Sequence, residues 1–480
     1  MQFNSHLFLL LFLPVTVFLY FFVCKRWRKA ANPILLGTSL LFYVYYSWVA
    51  AVYMLLDLAL NYLLYRALLR AKQATHSGKK HLLWIGIVLN ILSLFVFKYA
   101  ITVVEAFGIE VTASFPLQQI IVPLGISFIT FSKISFLVDT YKGENDQYNL
   151  IDYYLYILFF PKVISGPITK ANTLIPQFHE EERKAVQWEN MTKGLYGFSI
   201  GLAKKVLIAD FLGILVDYCY SDVAACSGFE AILAIIAFSL QIFFDFSGYS
   251  DMAIGIARMM NFELPQNFNS PYKAEDIVDF WKRWHITLTS FLTQYIYYPL
   301  GGNRKGKWRQ YLNILIVFAI SGIWHGAGLT FLVWGLMHGT LSVLTRIIKP
   351  HLKWRWKPGA VFFTFVLTTI AWVFFRAATL NDAFTMLGKP FLGFGDLRAD
   401  ILEALLQPTL FNVLSQVGKP TLTSCVVLIA LLAVVFFTKN TKERIDRFQT
   451  SVWTVAKTAV LLAVSALSFT TMTSFIYGGF

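Results

Sequence analysis

The chain has 480 residues, of which 57% are hydrophobic, 17% aromatic and only 14% charged, against about 25% charged in a soluble domain. That deficit excludes an ordinary soluble globular protein and implies a polytopic membrane protein, with the bilayer replacing water around most side chains. The net charge of +14 then reads as cytoplasmic loops, not as a nucleic-acid footprint, because the Lys and Arg fall between apolar segments.

In chain order, the first apolar run, Leu7 to Cys24, lacks a basic leader and a small-residue cleavage site, so it is expected to stay in place. The cluster Lys25-Arg26-Trp27-Arg28-Lys29 behind it predicts a cytoplasmic turn and an N-terminus outside. Pro33 to Arg66 accommodates two short spans of about 17 residues each. A basic loop follows from Arg66 to Lys80, then a span from Leu82 to Ala100, an outer turn with Glu105 and Glu110, and a return over Ile120 to Val138. Tyr153 to Ile168 is apolar but short and broken by Pro161, Gly166 and Pro167, which fits a re-entrant segment better than a span.

His179 to Lys184 reads as a solvated loop. A helix over Gly194 to Asp217 carries Lys204, Lys205 and Asp210, either as a functional group or as a snorkelling or in-plane face. Cys219 and Cys226 sit in a short outer turn; free thiols are expected, and the four cysteines form no zinc or CxxC pattern. Ala231 to Phe246 predicts a span ending in the polar cluster Asp245 to Asp251, and Phe262 to Ile277, with Pro265, Pro271 and an Asn-rich turn, predicts a surface loop. After Arg304, Lys305, Lys307 and Arg309 the chain re-enters the membrane, with His325 deep on that helix and Gly326 and Gly328 breaking it. Leu329 to Leu344 returns with His338 aboard, and Arg346 to Lys357 is a basic loop. Ala360 to Phe375 leads out, Asp382 to Lys419 is external, Leu422 to Phe437 returns, and the last span, Val452 to Thr470, ends outside. The sum is an all-α polytopic protein of eleven to thirteen crossings and partial crossings, residues 1–480 forming one membrane-embedded domain.

Candidate chemistry concentrates between Phe280 and Gly326. A histidine in a hydrophobic segment must find polar partners or act on something that arrives, since burying it unpaired costs several kcal/mol. His325, beside a helix break, is the first candidate; His285 follows a basic pair, Lys282 and Arg283; His338 fits a structural role. There is no GxSxG elbow, Walker A loop or HExxH motif. What remains is a lone histidine acting as general base on a hydroxyl, which requires an already activated acceptor such as a thioester carbonyl.

The blocks Phe280-Trp281-Lys282-Arg283-Trp284-His285, Tyr298-Pro299-Leu300-Gly301-Gly302-Asn303-Arg304 and Gly322-Ile323-Trp324-His325-Gly326-Ala327-Gly328 resemble signatures of the membrane-bound O-acyltransferases (MBOAT), in particular the type that serves alginate O-acetylation. Pro123 to Phe128, Phe159-Phe160-Pro161 with Ser165 to Ile168, Asp245 to Asp251 and Trp372 to Ala377 agree, so the resemblance covers nearly the whole chain. It implies an MBOAT-like bundle of tilted transmembrane and re-entrant helices around a central tunnel. It further implies His325 and His285 as catalytic residues, with Arg283, Arg304 and Lys305 toward the donor. The donor it implies is acetyl-CoA, with no metal required. The implied partners are an extracytoplasmic SGNH-type acyltransferase, a polysaccharide acceptor reached indirectly and the lipid bilayer, with no nucleic acid. The implied location is the bacterial inner membrane. Transfer of D-alanine toward teichoic acid, or a transporter or flippase without chemistry, are the alternatives.

Overall fold

The computed structural model describes residues 1–73, 78–107, 122–145, 147–351, 356–393, 420–469 and 475–476. The expected turn at Glu110, part of the basic loop after Arg346 and most of the segment 382–419 lie outside the described residues. Helices account for nearly all the regular structure: α1 (Phe8–Arg26), α2 (Ala31–Tyr46), α3 (Trp48–Gln73), α4 (Lys79–Lys98), α5 (Ile126–Lys142), α6 (Leu150–Leu158), α7 (Trp188–Ala203) and α8 (Asp210–Ser221). They continue as α9 (Gly228–Met259), α10 (Ile277–Arg283), α11 (Ile286–Leu292), α12 (Lys307–His325), α13 (Leu329–Ile348), α14 (Lys357–Arg376), α15 (Leu380–Leu392), α16 (Pro420–Phe437), α17 (Thr441–Asp446) and α18 (Val452–Leu467). No strand occurs among the described residues.

Among the described residues, six helices are long and apolar enough to cross a bilayer: α1, α3, α4, α9, α13 and α14. Exposed Phe18, Phe22, Leu56 and Leu63 cover the outer faces of α1 and α3, as expected where lipid is the solvent. This is an all-α polytopic membrane protein.

Several helix starts are written locally. Ser227 and Glu230 form a capping box at α9, and Asn149 accepts from the Asp152 amide at α6. Gly326 ends α12 directly after His325. The packing of α7 against α9 is set by glycine. A Cβ at Gly194 would lie 2.7 Å from the Gly255 carbonyl oxygen, and one at Gly201 would lie 2.6 Å from that of Gly248. Small residues let backbones meet where lipid supplies no hydrophobic drive between helices. The α12–α13 hairpin closes the same way, a Cβ at Gly335 meeting the Phe318 carbonyl at 2.3 Å.

Four expectations change. Helix α3 runs through Arg66, Arg70 and Lys72 to Gln73, so these cations lie on a helix and not in a loop. Helix α9 is continuous for 32 residues, so Asp245 and Asp251 stand inside it and not at its end. They face cations across the α7–α9 seam: Lys205 binds Asp245 and Asp210 at 2.7 Å each, and Lys204 binds Asp251 at 2.7 Å. Lys205 is buried, which excludes snorkelling for it, and the two lysines occupy a π-helical turn, Lys204–Ala209, that joins α7 to α8. The strand-like strap 262–270 is not a surface loop, because Phe262, Leu264, Asn267 and Phe268 are buried.

Three local expectations hold. The irregular stretch after α6 is buried, from Phe159 to Pro167. His179 to Lys184 is a largely exposed turn in which Glu181 bridges to Lys184 at 2.6 Å and Arg28 at 3.3 Å. Cys219 and Cys226 are thiols, the Cys226 sulfur donating to the Cys219 carbonyl at 3.3 Å.

Candidate active site

His285 sits at the break between α10 and α11 with φ +44°, a left-handed backbone that costs a non-glycine residue about 1–3 kcal/mol. The strap 262–270 holds it there. On one side of the break the Asn269 amide donates to the Arg283 carbonyl at 2.9 Å, and on the other the Ile286 amide donates to the Asn267 carbonyl at 3.0 Å. Between these two bonds the Asn267 side-chain oxygen lies 3.0 Å from His285 Nδ1, 3.0 Å from Thr287 Oγ1 and 3.3 Å from the Thr287 amide nitrogen.

This geometry fixes the tautomer. A backbone N–H can only donate, so the Asn267 atom facing Thr287 N is the oxygen, and His285 Nδ1 must carry the proton it shares with that oxygen. Nε2 is then the lone-pair nitrogen. It is buried and makes no hydrogen bond among the described residues. The edge of Phe246 at 4.7 Å and the face of Phe128 at 6.1 Å flank the ring.

His325 is the last residue of α12, at roughly 27 Å along it by helical rise, and is buried. Its imidazole lies in an aromatic cage, with Trp324 at 4.7 Å, Trp334 at 5.0 Å and Phe375 at 5.3 Å between ring centroids. Phe128 links the two histidines, since it packs on His285 and, at 5.6 Å, on Trp324. The structure thus brings His285 and His325 to one centre from helices that the sequence separates by the turn 297–306.

That turn is pinned to α12 by Asn313, which donates to the Gly302 carbonyl at 2.9 Å. Arg304 and Lys305 stand exposed on it. Arg283 binds Asp279 at 3.0 Å, one helical turn before it. His338 is buried and accepts from Trp281 Nε1 at 3.2 Å, so it pins α10 to α13.

Three cavities surround this centre. Two adjoin, sharing Glu263, Leu264 and Gln266: one of about 300 Å³ reaches Asn267 and Ser250, and one of about 390 Å³ reaches Thr287, Ser290 and Tyr295. Both therefore touch the cage of His285. The third, of about 640 Å³, is bordered by Gly328, Thr330 and Phe375 beside the end of α12, and its wall carries the Arg376–Asp217 ion pair at 2.7 Å. None of Arg283, Arg304 or Lys305 borders these three cavities. Among the described residues, no group of three His, Cys, Asp or Glu side chains is placed to hold a metal ion.

Sequence reasoning missed Asn267 and Thr287. The signal was present only as an Asn-rich turn, whose side chains usually cap their own backbone; here one reaches across to a histidine instead.

Residues 2–380 match the model of MBOAT, the membrane-bound O-acyltransferase family. The chain is 38% identical to a peptidoglycan O-acetyltransferase of Helicobacter pylori, covering 80% of this chain and 79% of that protein. It is 37% identical to a probable alginate O-acetylase (AlgI) of Pseudomonas aeruginosa, over 80% of this chain and 74% of that one. A teichoic acid D-alanyltransferase of Bacillus subtilis is 26% identical over 58% of this chain and 71% of its own length.

Proposed function

This chain belongs to the membrane-bound O-acyltransferase family and is an O-acyltransferase, and on that premise we propose that it carries acetyl groups from a cytoplasmic thioester, acetyl-CoA, across the bacterial inner membrane for O-acetylation of an extracytoplasmic polysaccharide. The observation that carries this reading is the placement of two buried histidines at one centre, with cavities at the His285 cage and a separate cavity at the end of α12. A donor entering on one side and an acceptor on the other would meet between them, along the family's central tunnel.

In this reading the cytoplasmic face is the one bearing Arg283, Arg304 and Lys305, and both chain termini lie outside. The exposed Arg304 and Lys305 steer the donor's phosphates toward the membrane. The acceptor hydroxyl attacks the thioester carbonyl carbon while His325 takes its proton, which contributes about 10²- to 10⁴-fold in rate. The tetrahedral intermediate collapses, the C–S bond breaks, and the departing thiolate takes the proton back from the imidazolium. His285, with Nδ1–H committed to Asn267, offers the Nε2 lone pair to a donor N–H or to the travelling proton. The packed aromatic cage positions the reactants and excludes water. An SGNH-type acyltransferase outside the membrane then receives the acetyl group and places it on the polysaccharide.

The test is transfer of label from radiolabelled acetyl-CoA by purified protein in detergent with its candidate external partner, for wild type and His325→Ala. Transfer by wild type alone, with the variant still folded, supports the reading. Equal transfer by both removes His325 from the chemistry. The 26% identical D-alanyltransferase keeps a second donor in view: label moving only from a D-alanyl carrier protein would favour that cargo over acetyl.

A further inference from the structure

Helix α12 ends at His325, so its last carbonyls have no intrahelical partner. Two side chains from the end of α4 reach them. Tyr99 donates its hydroxyl to the Ile323 carbonyl at 2.6 Å, and the Lys98 ammonium donates to the Trp324 carbonyl. Lys98 also lies over the Trp324 ring, 5.6 Å from its centroid, while Phe131 stacks on that indole at 4.8 Å. Trp324 in turn packs its ring against His325 at 4.7 Å. Both the backbone just before His325 and one wall of its cage are therefore held by Lys98.

The choice of lysine is informative. No carboxylate lies within ion-pair distance of Lys98 among the described residues, so among them a partly buried ammonium is kept without a counter-ion. A hydroxyl such as that of Tyr99 would satisfy a carbonyl at far lower desolvation cost. What the ammonium adds is a cation at a helix C-terminus, which the helix dipole favours, and a cation–π contact with the indole. Together these fix the last turn along its axis and the indole in its plane.

We propose that Lys98, assisted by Tyr99, is a positioning residue for His325: the pair clamps the end of α12 so that the imidazole meets the acceptor hydroxyl in line. The proposal rests on the reading of His325 as general base. Lys98 acts through Trp324 and not on the reacting atoms.

The experiment measures initial rates of label transfer from acetyl-CoA, at saturating and limiting donor, for wild type, Lys98→Met, Lys98→Arg, Tyr99→Phe and His325→Ala, with the thermal midpoint of each. Misplacing a catalytic group by about 1 Å can cost about 100-fold in rate. Lys98→Met is therefore expected to lose about that factor in kcat with the donor KM unchanged. Lys98→Arg should recover most of it, and Tyr99→Phe should lose less than Lys98→Met. Because Lys98→Met removes the desolvation cost of a partly buried ammonium along with its contacts, its thermal midpoint should stay close to that of wild type. A purely structural cap gives the opposite pattern, with a lower midpoint and wild-type kcat in the molecules that remain folded. That result overturns the proposal, as does equal loss in the Met and Arg variants or a change confined to KM. If His325→Ala is inactive and Lys98→Met is fully active, the clamp alone fails. If His325→Ala retains transfer, the base reading fails and the clamp with it.

Discussion

Replacing Asn267 by leucine removes the one acceptor shared by three buried donors while keeping the outline of a side chain that forks at Cγ. His285 Nδ1–H and the Thr287 amide are fixed in place; the Thr287 hydroxyl rotates and can turn to another acceptor. Two stranded donors at about 1–3 kcal/mol each give a loss of roughly 2–6 kcal/mol. Part of that cost belongs to His285 and should vanish when the ring no longer carries the N–H. In a His285→Phe background, Asn267→Leu should therefore cost about 1–3 kcal/mol less than it does in wild type. The four proteins of this cycle can be compared by denaturant or thermal unfolding in detergent, followed by gel filtration of the surviving folded fraction. Asn267→Asp keeps the acceptor and serves as the variant expected to fold. Additive costs, or a neutral Asn267→Leu, would refute both the hydrogen-bond cage and the tautomer derived from it.

Three further outcomes follow from the packing. Lys205→Met removes the cation that Asp245 and Asp210 share, and breaking a buried pair from one side costs about 3–5 kcal/mol; adding Asp245→Asn should restore part of the lost thermal midpoint. Gly201→Ala drives a methyl to 2.6 Å from the Gly248 carbonyl and should destabilise by about 1–3 kcal/mol, whereas Gly388→Ala, with open space around it, should not; paired melting curves decide. Burial pushes the Asp276 carboxyl up, but Lys349 at 2.5 Å and the amides of Asp279 and Val278 outweigh it and hold it below the usual value of 3.8. A depressed acid contributes stability above its unfolded pKa and loses it as pH falls through the folded value. Lys349 is 67% exposed, so the contribution is below about 1 kcal/mol: Asp276→Asn should narrow the stability difference between neutral pH and pH values under the ordinary carboxylate range.

Much of this architecture is legible in the residues because lipid imposes a simple rule. A long apolar run must be a helix, and α1, α4, α13 and α14 fall within a few residues of where hydropathy puts them. The errors arise where charge was taken as the edge of a helix. Arg66, Arg70 and Lys72 extend α3 because long aliphatic stems can carry their charges off a helix without ending it. Asp245 and Asp251 sit inside α9 because their cations, Lys205 and Lys204, come from a different helix. Nothing near either aspartate in sequence announces the pair. His325 was readable for a local reason, an imidazole in an apolar helix ending at glycine. The cage of His285 was not, since Asn267 reaches it from a segment whose prolines and asparagines read as surface.

The two histidines are held by different physics, and that difference bears on their roles. His285 is oriented by hydrogen bonds: its backbone is strained, its Nδ1–H is committed, and its remaining lone pair points in a direction the protein has chosen. His325 stands among rings, with Trp324, Trp334 and Phe375 packed around the imidazole. An imidazole whose Nδ1–H is committed to an amide oxygen presents a constant acceptor on its other nitrogen, which suits a residue that orients the donor. In the proposed mechanism that leaves the proton transfer to His325. Substituting His285 by glutamine, which still offers an acceptor, should then retain more activity than substituting His325 by the same residue, and equal losses in the transfer assay would reverse the assignment.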